Sequence, residues 1–134
     1  MAETKTVLIN DGGAPARIMN FTAAAAISAG ECLKIDGNGK AALSTDPSLP
    51  AAGFALVDAA ADDLVSVITG SGIVINAITK AVTAGQSLVP IAATAGCLDD
   101  STGGGSSGDD ADVYVAIALE TTTAVGELTR VLVV

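Results

Sequence analysis

The octet Ala26-Ile27-Ser28-Ala29-Gly30-Glu31-Cys32-Leu33 is answered 55 residues later by Ala81-Val82-Thr83-Ala84-Gly85-Gln86-Ser87-Leu88, matching in residue class at each position. The correspondence continues in the same order along the chain. Gly53-Phe54-Ala55-Leu56 resembles Ala116-Ile117-Ala118-Leu119 at an offset of 63, and Asp63-Leu64-Val65-Ser66-Val67 resembles Glu127-Leu128-Thr129-Arg130-Val131 at an offset of 64. Each half therefore reads as a polar Ser/Thr-Ala-Gly turn, a strand, a variable hairpin, a Gly/Ala-apolar-Ala-Leu strand and a closing strand. Two such units, about residues 22–78 and 79–134, predict a single all-β domain. The expected architecture is a small β-sandwich or barrel with pseudo-twofold symmetry.

Working outward, the strand signals are short and the turns between them explicit. Residues 64–69, 73–78 and 128–134 are β-branched apolar runs bounded by Gly, Asp or Thr. Val113, Val115, Ile117 and Leu119 alternate with Tyr114, Ala116 and Ala118, the two-residue period of a strand with one face on the core. Residues 32–35 and 40–43 flank Asp36-Gly37-Asn38-Gly39, and Asn-Gly is a strong hairpin signal because both positions accept positive φ. Residues 23–29 would make barely two helical turns, too short to stand without tertiary help.

Composition restricts what such a domain can do. Half of the 134 residues are hydrophobic, yet Phe21, Phe54 and Tyr114 are the three aromatics, so the core must be thin and packed with Ala, Val, Ile and Leu. Few large burial terms of about 1.5–3 kcal/mol are then available, and assembly becomes a further source of stability. The mean hydropathy is +0.58, but no stretch reaches the roughly 18 apolar residues of a membrane span, so no membrane partner is expected. The polar start at residues 1–5 lacks the features of a secretory signal, which points to synthesis in the cytoplasm. Fifteen acidic against six scattered basic residues give a net charge of −9. Phosphate neutralisation needs clustered Lys and Arg, and single-strand binding needs aromatic platforms, so direct nucleic-acid binding is disfavoured.

The chemistry-bearing constellations are weak. The chain has no His, which removes the usual Ser-His and Cys-His pairs. Cys32 and Cys97 lack metal-ligand spacing and read as buried thiols or as a single disulfide. Gly104-Gly105-Ser106-Ser107-Gly108 fits G-x-S-x-G literally, but inside a glycine linker rather than between a strand and a helix. The carboxylate pairs Asp62-Asp63, Asp99-Asp100 and Asp109-Asp110 are adjacent, and adjacent side chains of extended chain point opposite ways, so they read as turn residues and solvated charge. A Ca²⁺ site from Asp99, Asp100, Asp109, Asp110 and Asp112 has no EF-hand spacing. No enzyme activity, metal or cofactor is expected.

Two segments break the repeat. Residues 99–112 (DDSTGGGSSGDDAD) have almost nothing to bury and predict a flexible acidic Gly/Ser loop. Residues 1–21 form an N-terminal arm without a counterpart in the second half, carrying Val7-Leu8-Ile9, the turn Asn10-Asp11-Gly12-Gly13 and Arg17-Ile18-Met19. Such an arm either adds an edge strand or contacts a partner.

The run Gly13-Ala14-Pro15-Ala16-Arg17-Ile18-Met19-Asn20-Phe21, the two Ala-Gly-Glu/Gln turns, Gly53-Phe54-Ala55 and Gly126-Glu127-Leu128 together resemble the capsid cement or decoration proteins of tailed bacteriophages, the DUF2190-like group. The resemblance covers most of the chain, and its motifs are short. It implies a structural virion protein on the capsid exterior that binds across major capsid protein subunits, often as a homotrimer. It carries no catalytic residues, and by analogy it places capsid contact at Arg17, Ile18 and Met19. A self-assembling fibre, tail or surface-layer subunit is the alternative, since the same exposed strands would serve polymerisation.

Overall fold

The computed structural model describes residues 8–10, 16–46, 50–100 and 114–134. Their strands, in chain order, are β1 (Leu8–Asn10), β2 (Arg17–Thr22), β3 (Cys32–Ile35), β4 (Ala41–Leu43), β5 (Gly53–Ala55) and β6 (Leu64–Thr69), then β7 (Val74–Thr79), β8 (Ser87–Pro90), β9 (Leu98–Asp100), β10 (Ala116–Ala118) and β11 (Glu127–Val133). The protein is all-β. The first sheet runs β2-β6-β5-β3-β4, and the second runs β7-β11-β10-β8-β9 with β1 added outside β7. Replacing β2–β6 by β7–β11 in order converts one sheet into the other. Both are antiparallel ladders that curl until their ends meet through one parallel contact, Ala23↔Ala41 in the first and Thr79↔Leu98 in the second. Curling of this kind removes most of the exposed edge that a flat five-stranded sheet would carry.

By strand order the repeated units run from β2 to β6 and from β7 to β11. Residues 17–21, assigned in the sequence to an arm without a counterpart, are thus the first strand of the first unit. The pairing was hidden because, with Met19 facing Val67 as Ile75 faces Val131, Ile18-Met19-Asn20-Phe21-Thr22 aligns with Val74-Ile75-Asn76-Ala77-Ile78 and shares only the Asn. A strand tolerates such drift, since its ladder is built from backbone groups.

The octet that follows the first strand of each unit forms the same turn twice. Glu31 N–H donates to Ser28 O at 3.2 Å, and Gln86 N–H donates to Thr83 O at 3.1 Å. Between them Gly30 and Gly85 have φ of +90° and +92°, the third position of a type II turn. The fourth residue returns a side-chain acceptor to the first. Ser28 N–H reaches Glu31 Oε1 at 2.6 Å, and Thr83 N–H reaches Gln86 Oε1 at 2.7 Å. The turn is then sewn to the next strand by Gly30 N–H to Ala55 O and Gly85 N–H to Ala118 O.

Alternation divides the core. Ala23, Leu33, Ala41, Ala55, Val65 and Val67 fill the inside of the first unit. Cys32, Phe54 and Ile68, on the opposite face of the same strands, join Ile73, Ile75, Ala77, Leu88, Leu98 and Val131 of the second. Fully burying Phe54 stabilises by about 1.5–3 kcal/mol. In β10 the small residues Ala116 and Ala118 are buried, while Ile117 is half-buried and Leu119 exposed, reversing the emphasis expected from the Val/Ile/Leu alternation. A narrow curled sheet has room for Ala on its concave side, as Ala55 shows at the matching place in β5.

Three local readings are refined. The hairpin between β3 and β4 is closed by Asp36, whose Oδ1 accepts from Asn38 N–H and Lys40 N–H at 2.9 Å each. Gly39 has φ +76° whereas Asn38 does not enter the left-handed region, so the tip is a longer turn ending in a glycine bulge, not a two-residue Asn-Gly turn. These amides from Lys40 and Asn38 hold the Asp36 carboxyl below its usual range. Asp99 and Asp100, placed in the acidic loop from sequence, belong to β9, with Asp99 buried and its Oδ1 accepting from Asp100 N–H. Pairing with Val89 and Leu88 outweighs the local loop composition there. Residues 101–112 of that loop lie outside the described residues. Cys32 and Cys97 are both buried free thiols, and burial pushes them up to about 12 and about 11 respectively.

Two outcomes follow from the duplicated turn. A Cβ at Gly30 would stand 2.6 Å from Leu128 Cδ2, whereas at Gly85 nothing lies within 4 Å. Gly85→Ala should lose only the backbone strain of about 1–3 kcal/mol, and Gly30→Ala should lose more, read by denaturant unfolding. The second outcome concerns Glu31, whose pKa is raised by burial and further by Asp58, with the Ser28 amide opposing. A raised carboxyl pKa means that stability is fully present below the ordinary value and is lost as pH rises through the folded value. Glu31→Gln keeps the acceptor that Gln86 supplies in the other unit and removes the buried charge. Its Tm should exceed that of the parent at pH 7, the gap closing below about pH 4.

Candidate interaction surface

Since the two units share one strand order, the informative places are those where equivalent strands differ in surroundings. Strand β7 is fenced on both sides. It pairs with β11 along its length, with β1 at Leu8↔Ile75 and Asn10↔Val74, and with β9 at Thr79. Strand β2 pairs with β6 from Arg17↔Thr69 to Thr22↔Leu64, and the chain just beyond it meets β4 at Ala23↔Ala41. Among the described residues no strand lies along the outer side of β2 over Arg17, Ile18 and Met19.

Exposure follows this difference. Ile75 of β7 is 0% exposed, whereas its ladder equivalent Met19 is 43% exposed, and Ile18, the equivalent of Val74, is 54% exposed. Arg17 and Asn20 are exposed too, giving four consecutive open residues on a strand. Phe21 turns inward against the first unit's core, and Asn20 is held by the Ser66 hydroxyl, whose Oγ lies 2.9 Å from Asn20 Oδ1. Leu64, on the neighbouring strand, is 69% exposed. Arg17, Ile18 and Met19, singled out from the sequence, therefore lie together on an open strand edge with a positive head group at one end.

Elsewhere the surface offers little chemistry. A shallow cleft of about 150 Å³ between the units is lined by Pro50, Phe54, Thr69, Tyr114 and Val134, among others. Tyr114 is the titratable group in that lining. Asp62 forms an exposed ion pair with Lys40 (Oδ1 to Nζ, 3.1 Å), while its N–H donates to Ala23 O, the turn role read from the sequence. Among the described residues no group of three His, Cys, Asp or Glu side chains is placed to hold a metal, and no helix is long and apolar enough to cross a membrane. The G-x-S-x-G match and the remaining loop aspartates lie outside the described residues.

No protein-family model matches the chain, and no curated protein does. A solved structure does. The crystal structure of the head fibre gp8.5 N base in bacteriophage phi29 superposes with a TM-score of 0.66, covering 90% of this chain and 95% of that one at 15% identity. The fold is shared over nearly the whole length of both.

The open edge has a direct check. Ile18→Lys places a charge on an exposed position and should leave unfolding free energy within about 0.5 kcal/mol of the parent. Ile75→Lys places the same charge in the core on the equivalent strand and should cost at least about 4 kcal/mol or prevent folding.

Proposed function

We propose that the chain is a non-enzymatic structural virion protein that decorates the outer surface of a phage capsid, binding across major capsid protein subunits. The observation that carries this reading is the fold, shared with a phage head-fibre base over 90% of the chain. The sequence motifs point the same way, since they resemble capsid cement proteins. Capsid contact is placed at Arg17, Ile18 and Met19, the open segment of β2. The preferred assembly is a homotrimer on the shell, and the protein reaches the virion exterior after synthesis in the host cytoplasm. A thin core and an acidic surface suit this role, since many copies on a lattice each need only modest contacts.

The likeness to a fibre base also favours a second reading, in which the domain is the foot of a head fibre rather than a free-standing cement protein. The two share the shell as partner and differ in whether a further protein is carried. Purified chain mixed with mature heads of its own virus and sedimented should bind to saturation, at a fixed ratio to the major capsid protein. Failure to bind, or growth of filaments from the chain by itself, overturns both readings. A second virion protein retained on the heads only when the chain is present selects the fibre foot.

A further inference from the structure

Resting on the proposed attachment to a phage shell, the structure points to how contact is made: we propose that β2 receives an extended segment of the shell subunit as an additional antiparallel strand. The template is within the molecule. On the second unit the place outside the first half of the opening strand is filled by β1, which runs antiparallel to β7 with Leu8 in register with Ile75. The far end of that same strand is closed by β9. On the first unit the far end is closed in the same way, by β4 at Ala41, while the place outside Arg17, Ile18 and Met19 has no strand among the described residues. Two equivalent positions thus differ by one occupant.

The edge is built to be paired. Soluble proteins blunt an exposed strand with Pro, Lys, inward charges or a bulge. Arg17-Ile18-Met19-Asn20-Phe21-Thr22 pairs with β6 without a register break and carries one charge, at its first residue. An added strand gains main-chain hydrogen bonds for affinity and side-chain matching for specificity. By the β1 precedent, in which Leu8 faces Ile75, the incoming segment has an apolar residue opposite Met19, the ladder equivalent of Ile75. Arg17, exposed at the first position of the strand, favours a carboxylate on the segment that pairs beside it. A second copy of this chain fits less well. Each copy carries a charge of −9, and its β1 is already committed to its own β7.

Amide hydrogen exchange of the full chain, free and bound to mature heads, reads this out. Strand addition should slow alternate amides of residues 17–21 about tenfold or more, because every second N–H of an edge strand points outward. Ile18→Lys should weaken head binding at least about tenfold, whereas Leu64→Lys, on the same face but on the inner strand β6, should not. Binding that leaves these amides unchanged, with both variants equally impaired, assigns the contact to the apolar face and overturns strand addition while leaving shell attachment standing. Protection of the same amides in the free chain that grows with concentration assigns the edge to a second copy and overturns the shell segment. A chain that does not bind heads removes the functional reading itself.

Discussion

Burial of Cys32, Phe54 and Ile68 against the second unit is the contact on which the rest depends. A curled five-stranded sheet of Ala and Val encloses little apolar surface, and neither unit has many large side chains to spare. By turning the outer face of the first sheet into part of the second unit's core, the chain makes one body from two half-filled ones. Backbone bonds reinforce the joint. Cys32 N–H donates to Gly96 O and Gly96 N–H to Ser44 O, both at 2.9 Å, while Ile78 N–H donates to Gly30 O at 2.8 Å. Phe54 supplies the largest buried side chain in this contact, which accounts for its place among so few aromatics.

Once the units are joined, their duplication makes differences meaningful. The same turn, hairpin and closing strand occur twice, so any position where the two copies diverge in exposure reflects what surrounds it. At Ile75 the strand is covered on both sides. At Met19, the ladder equivalent of Ile75, the strand stands open. The asymmetry arises from β1, a short segment spent on one copy and not on the other. The open edge is a property of strand order rather than of any reactive group.

The charge balance supports this division of labour. A net charge of −9 on a chain that is half hydrophobic opposes non-specific association, while Arg17 carries the opposite sign at the open edge. Closure of each sheet by a parallel contact protects the remaining strand ends.

The sequence by itself determined the strand-rich class, the duplicated turn and the strands at 32–35 and 64–69, because these depend on local backbone chemistry. Glycine at the third turn position, a side-chain acceptor at the fourth and two-residue alternation are legible without neighbours. Arg17, Ile18 and Met19 were singled out as part of an arm, and they lie exposed on β2. Tertiary structure decided that this arm ends in the first strand of a repeat, since strand equivalence is set by ladder order and not by side-chain identity. It also decided that Ala rather than Ile or Leu faces inward in β10, because the room inside a curled sheet is a property of its closure. Whether an edge is covered or open depends on where a distant segment settles. No local pattern at Met19 encodes the difference from Ile75.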